Sequence, residues 1–227
     1  MTSNPMPDPT SPSVPSRSRS AMRTTSLPDR RRSRTPSADI EGAILDAAER
    51  LLEQGDPAAL TVRGISKEAG VAPMGVYNHF GGKNGVVDAL FRRGFEALAA
   101  DLTATMAVPD PRDALRRGGL RYRELALERP TTYAVMFLAA VPGFEPSEAS
   151  KAEAENAFGG LVATVEQAIE AGVVAEGDPT TAASVLWAGI HGAVALELCG
   201  ICFVDDPGAL YEQLVEVLLD GLGPSPD

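Results

Sequence analysis

At 227 residues the chain can hold one large or two small domains around a real core. Its 44% hydrophobic content is ordinary for a globular protein, and only two cysteines are present. A formal net charge of -11 excludes a general electrostatic attraction to nucleic acid, so any such contact must be built locally. The charge is unevenly spread. Residues 1–38 hold seven arginines against Asp8 and Asp29, residues 39–101 hold six basic and ten acidic residues, and residues 102–227 hold seven basic and nineteen acidic residues.

Residues 1–36 are rich in Ser, Pro, Thr and Arg and poor in large apolar residues. Such a segment cannot bury enough surface to offset the entropy of ordering, and it is expected to be a disordered basic tail. Two readings of it stay open: an arm along DNA led by Arg30, Arg31, Arg32 and Arg34, or a solvated extension. It has no apolar stretch that would serve as a signal peptide. No uninterrupted apolar run elsewhere is long enough to span a bilayer, so a cytoplasmic protein without a membrane partner is expected. The first helix should begin near Thr35-Pro36 or Ser37, bury Ile40, Ile44, Ala47, Ala48, Leu51 and Leu52, and end near Gly55 in the turn Gly55-Asp56-Pro57.

The stretch Thr61 to Lys83 reads TVRGISKEAGVAPMGVYNHFGGK. Val62, Ile65 and Ala69 share a face at helical spacing, and the Thr61 hydroxyl can accept a bond from an otherwise orphan N–H at the helix start. Gly70 stands where a left-handed terminating residue costs least, and Pro73 suits the first turn of the next helix. Two short helices joined by a tight glycine turn are a DNA-reading arrangement, the second helix entering the major groove. Gly64 lies inside the first of them, where glycine should cost about 1 kcal/mol relative to alanine. A further apolar-periodic helix follows Lys83, through Val86, Val87, Leu90 and Phe91.

From about Ile40 to Phe95 the chain resembles the DNA-binding domain of the TetR family of bacterial transcriptional regulators. The signs are Thr61-Val62-Arg63, Ala69-Gly70-Val71, Tyr77-x-His79-Phe80 and Lys83. The resemblance implies that Thr61, Tyr77, His79 and Lys83 touch phosphates, that Arg63 lies near the backbone or reaches a guanine edge, and that Ala72, Pro73, Met74, Gly75 and Asn78 face the groove. Relatives often place Ser, Thr, Lys or Arg where this chain has Ala-Pro-Met-Gly, a set suited to thymine methyls and close backbone approach but poor in hydrogen bonds.

Beyond Asp101 the pattern remains helical. Asp110-Pro111, Asp178-Pro179 and Asp206-Pro207 each pair a capping residue with a first-turn proline. Helices are expected at about 111–128, 131–141, 147–171, 179–199 and 207–221, with Gly118-Gly119 interrupting the first and bending it. No sustained two-residue alternation predicts a strand, so the expected fold class is all-α: a three-helix helix-turn-helix domain at 37–101 and a helical domain at 102–223. Arg121 to Ala126, Arg129 to Tyr133, Met136-Phe137 and Trp187 to Gly192 are similar to the Trp-His-Gly class of TetR-type C-terminal domains. That likeness implies a homodimer through helices near 179–199 and 207–221 and a pocket for an unknown small-molecule effector. Tyr122, Tyr133, Met136, Phe137, Trp187 and His191 are the wall candidates, each open to the alternative of ordinary core packing.

No catalytic constellation, metal-ligand set or cofactor motif is legible. Gly81-Gly82-Lys83 lacks the spacing and strand of a phosphate loop, and His79 and His191, the only histidines, fall on different domains. Cys199-Gly200-Ile201-Cys202 closes a predicted helix, which fits two small buried side chains or a redox pair. The expected function is therefore a dimeric, ligand-responsive repressor on a palindromic double-stranded operator. The alternative is a helical small-molecule-binding protein of the same fold with weakened or lost DNA recognition; an enzyme built on helices is the third reading.

Overall fold

Aspartate followed by proline starts three long helices, and in each the carboxylate satisfies backbone N–H groups that a helix start leaves orphaned. Asp110 accepts from the Arg112 N–H at 3.0 Å, Asp178 from those of Thr180 and Thr181, and Asp206 from that of Ala209 at 3.0 Å. In the computed structural model the described residues are 37–55 and 59–224. The expected basic tail and the Asp56-Pro57 turn lie outside them. Among the described residues there are nine helices and no strand, in the order α1 (Ser37–Glu53), α2 (Val62–Ala69), α3 (Pro73–Phe80), α4 (Lys83–Met106), α5 (Pro111–Glu128), α6 (Pro130–Phe137), α7 (Glu148–Glu170), α8 (Pro179–Leu198) and α9 (Pro207–Leu222).

Two apolar clusters hold these helices together. The first packs Ile44 of α1, Ile65 of α2, Val76 of α3 and Val86 of α4 around Leu60, all fully buried. The second packs Tyr122 of α5, Val165 of α7, Val194 of α8 and Tyr211 and Leu219 of α9. Helix α4 serves both: Val86 to Phe95 belong to the first, while Leu98 and Leu102 pack against the second. The expected domain boundary at residues 101 and 102 thus falls within one unbroken helix.

Three sequence expectations are corrected. The helix expected over 131–141 ends at Phe137, because Ala139 takes a left-handed φ of 50° and the chain turns to bury Val141 in the first cluster. Gly118-Gly119 does not interrupt α5. A Cβ on Gly118 would lie 2.6 Å from the Met106 sulfur, and one on Gly119 3.3 Å from Val215, so these glycines allow close helix contact. Gly64 is likewise a contact position: a Cβ there would run into the carbonyl oxygen of Ala59, so alanine would gain nothing. Helix α8 is, by length and composition alone, apolar enough to cross a bilayer. Its Ala183, Leu186, Ile190 and Val194 are instead buried in the helical core.

A polar clasp fastens α4 to α7. The Ser147 N–H and hydroxyl each donate to a different oxygen of Asp88 at 2.8 Å, and the fully buried Ser150 hydroxyl donates to the Asp88 carbonyl at 3.4 Å. Burial raises the Asp88 pKa, but the hydrogen bonds from Ser147 outweigh it and hold the carboxyl below its ordinary value. A depressed folded-state pKa contributes stability above the unfolded value and loses it as pH falls through the folded value. Asp88→Ala is therefore expected to lower Tm at neutral pH and to lose less than wild type when pH falls below about 4. Thermal melts from pH 7 to pH 3 check this; parallel acid limbs would contradict it.

Candidate nucleic-acid interface and effector cavity

The helix-turn-helix is fixed by local chemistry. The Thr61 hydroxyl accepts from the Gly64 N–H at 3.0 Å and caps α2, and Gly70, at φ 68°, ends it. The Gly70 and Val71 N–H groups return to the carbonyls of Lys67 and Ser66. Pro73 then opens α3, and Gly81 and Gly82, at φ 70° and 137°, turn the chain into α4. Buried Ile65 and Val76 fix the helices' inner faces, which determines what faces out.

Thr61, Arg63, Pro73, Tyr77 and Lys83 are brought together along one shallow groove, with Leu60 and Val62 completing its floor. Tyr77 is 51% exposed, although its ring also lies beside Gly82. Ala72, Pro73, Met74 and Asn78 are exposed around the start and outer face of α3, and Gly75 is half-buried. His79 is placed differently: its Nδ1 lies 3.0 Å from Glu41 Oε1, so the ring faces α1. The groove thus offers two cations, a tyrosine hydroxyl and a threonine hydroxyl around an apolar floor, a set suited to phosphate oxygens. Leu60 is not singled out by the sequence, where Val62 reads as a core-facing residue and not as part of the groove.

The C-terminal candidates divide between two cavities. Tyr122, Phe137 and Trp187 line a partly open apolar cavity of about 130 Å³ between α4, α5, α6, α7, α8 and α9. Tyr122, Tyr133, Met136 and Phe137 line a wider, more polar one of about 540 Å³, whose α1 wall carries Asp46, Glu49 and Glu53. Leu98, Tyr122 and Phe137 belong to both and form the partition. On the wider side Arg93 ties α4 to α1, donating to Asp46 at 2.8 Å and to Glu49 at 2.6 Å, and Glu49 also accepts from the Thr132 hydroxyl of α6.

His191 lines neither of these cavities but organises the partition. The hydroxyls of Tyr122 and Tyr133 each lie 2.9 Å from its Nδ1, and its ring stacks on Tyr133 with centroids 5.5 Å apart. Burial lowers the His191 pKa and pushes that of Tyr133 up to about 12 and that of Tyr122 higher still. All three groups are accordingly neutral at pH 7. The sequence reading missed Leu98, Leu102 and Met106 of α4 and Phe158 and Leu161 of α7, which also line the inner cavity. Their spacing is that of any buried helix face. Among the described residues no group of three or more His, Cys, Asp or Glu could hold a metal, and Cys199 and Cys202 are not joined.

A capped helix-turn-helix with a polar outer groove, joined by a shared helix to a cavity-bearing bundle, defines a two-part all-helical protein of the helix-turn-helix class. Residues 44–90 match the family model described as bacterial regulatory proteins, tetR family, and residues 115–218 match that described as tetracyclin repressor-like, C-terminal domain. The chain belongs to the TetR family of bacterial regulatory proteins. Over 102 residues it is 37% identical to the HTH-type transcriptional regulator EthR of Mycolicibacterium smegmatis; the match takes 41% of this chain and spans 45% of that relative. Solved structures share the fold, among them the following two. A protein of unknown function from Rhodococcus sp. RHA1 superposes with a TM-score of 0.73 at 23% identity, over 86% of this chain and all of that one. A TetR family transcription regulator from Marinobacter aquaeolei VT8 gives 0.66 at 20% identity, over 83% of this chain and 97% of that one.

Proposed function

We propose that the protein is a cytoplasmic, ligand-responsive repressor that binds a palindromic operator as a homodimer. The observation that carries this reading is the single groove holding Thr61, Arg63, Tyr77 and Lys83 beside the exposed start of α3. In it, α3 enters the major groove with Ala72 to Gly75 and Asn78 against base edges, while the groove residues meet flanking phosphates and His79, held by Glu41, braces α3 against α1. A two-fold dimer then sets two reading heads one or more DNA turns apart, each turn about 34–36 Å. The dimer face is the outer side of α8 and α9. Val185, Leu196, Leu210 and Val217 are each more than 40% exposed there, on helices whose other faces are buried. The C-terminal part, residues 102–223, is read as the effector and dimerisation domain of the Trp-His-Gly class, and residues 37–101 as the DNA-binding domain.

An effector in the C-terminal cavities would lower DNA affinity only by its preference for a dimer with misplaced heads. Catalysis has no place in this reading, which needs binding alone. The polar atoms of the head meet phosphates more than bases, so binding should be strongly salt-dependent. Across a dimer, affinity for the operator is expected to fall about a thousandfold between about 50 and 200 mM salt. Lys83→Ala should reduce the slope of log affinity against log salt by about two, one phosphate per head. Fluorescence anisotropy on a labelled duplex measures both; a slope unchanged by Lys83→Ala would remove that residue from the interface.

A second reading is favoured by one observation, the sparse hydrogen-bonding capacity of exposed Ala72, Pro73 and Met74. It is a small-molecule-binding protein of the same fold with weakened or lost DNA recognition. Absence of duplex binding at low salt by a folded dimer would select it.

A further inference from the structure

The inner cavity has a chemistry that its lining states directly. Every wall is apolar side chain or glycine except for the Tyr122 hydroxyl, which is already engaged by His191 Nδ1, and the indole of Trp187. No Asp, Glu, Lys, Arg or His lines it. Among the described residues no buried side-chain nitrogen or oxygen lacks a hydrogen-bond partner. The walls therefore hold no waiting donor or acceptor for an ion, and a charged group brought in would be stripped of water without compensation. Size is equally restrictive. The volume is about 130 Å³, close to the roughly 150 Å³ of an apolar cavity that stays dry and takes benzene.

The shape is maintained by contacts that resist enlargement. Gly118 and Gly119 bring α5 onto Met106 and Val215, and Gly189 brings α8 onto Leu218, whose Cδ1 would lie 2.6 Å from an added Cβ. Phe137 packs on Trp187 with centroids 6.2 Å apart, and Phe158 on Trp187 at 5.9 Å, so aromatic faces and edges surround the space. Such walls favour a flat ring, which can meet them offset or edge-on.

We infer that the inner cavity is a binding site for a small uncharged aromatic molecule of one or two rings, carrying at most one polar group. The inference rests on the effector reading for its consequence, release of DNA, but not for the binding itself. A ring seated there presses on Phe137 and Tyr122, the partition with the wider cavity. Beyond that partition lies α6, whose Thr132 is bonded to Glu49 of α1.

Trp187 is the only tryptophan in the chain and lines the cavity, so its emission reports occupancy without a label. The full chain is titrated, without DNA, with toluene, naphthalene, benzoate, benzylamine and decanoate, following Trp187 emission and Tm. Toluene or naphthalene should shift the emission and raise Tm, with benzoate and benzylamine about 100-fold weaker or worse. Ala157→Phe, which fills the cavity from α7, should abolish the response while helical content and dimer state are kept. Leu161→Trp serves if Ala157→Phe does not fold, followed by Tm alone. Tighter binding of benzoate, benzylamine or decanoate, no response to any neutral ring, or a neutral-ring response that survives filling would each overturn the assignment. DNA binding is read separately on the same samples. Ring binding without effect on DNA would leave the site in place and contradict only the effector reading, whereas ring-insensitive protein that still binds DNA would contradict the site alone.

Discussion

Val217→Arg is expected to turn the dimer into a folded monomer and remove operator binding at nanomolar protein. Val217 is 58% exposed on α9 and lies one helical turn and two from Leu214 and Leu210 on the same side. Neighbouring α8 presents Val185 and Leu196 outward, while its Gly189 receives Leu218 of α9. Exposed apolar faces on two adjacent packed helices need a cover, and a two-fold partner supplies an identical face. An arginine there would bring two like charges into an apolar two-fold face, a cost of about 3–5 kcal/mol for each charge left uncompensated on burial. Because every 1.4 kcal/mol is about tenfold, the dimer should weaken at least a hundredfold. The fold should survive, since the residue is exposed within one subunit. Sedimentation velocity and far-UV dichroism measured together decide the matter; a dimer of undiminished affinity would place the interface elsewhere.

Gly85→Ala should be the most damaging small substitution in the reading head. Gly85 is the third residue of α4, and a Cβ there would overlap the carbonyl of Phe80, the last residue of α3. The obstacle is backbone and cannot swing aside as a flexible side chain would. Relief requires α3 to separate from α4, which parts Tyr77 from Lys83 across the groove. Overpacking of this kind costs about 1–3 kcal/mol, and the rigid obstacle puts this case at the upper end. For a chain of this size that corresponds to a Tm lower by about 6–10 °C. DNA affinity should fall further than stability alone implies, because the groove itself is widened. Gly159→Ala is the control: it stands in α7 with nothing within 4 Å of an added Cβ, and should leave Tm unchanged or slightly raised. Equal melting of both variants and wild type would refute the contact argument.

The features legible in the sequence were those decided by neighbouring residues. Thr61 as a cap, Gly70 as a terminator, Pro73 as an opener and the three Asp-Pro starts all act within four positions, so the order and limits of most helices followed from them. What depended on distant partners was not legible. Gly64, Gly85, Gly118 and Gly119 look like helix weaknesses until Ala59, Phe80, Met106 and Val215 are brought against them. The end of α6 depended on Val141 finding the first core, whereas the apolar run Leu138 to Val141 reads as more helix. His191 was singled out as a wall residue, but its two tyrosine partners stand 69 and 58 positions earlier and no local pattern pairs them. The α4 and α7 lining of the inner cavity was invisible for a simpler reason: a helix face lining a small void has the same periodicity as one packed solid.

The central claim, a DNA reader whose groove is built by Thr61, Arg63, Tyr77 and Lys83, is tested most directly by selecting bound sequences from a random duplex library. Wild type and Tyr77→Ala are run in parallel on folded dimers at low salt. Wild type should enrich a palindromic site with half-sites one or more helical turns apart, and Tyr77→Ala should enrich none or require far more protein. No enrichment by wild type, or the same palindrome recovered equally well by Tyr77→Ala, would contradict the account.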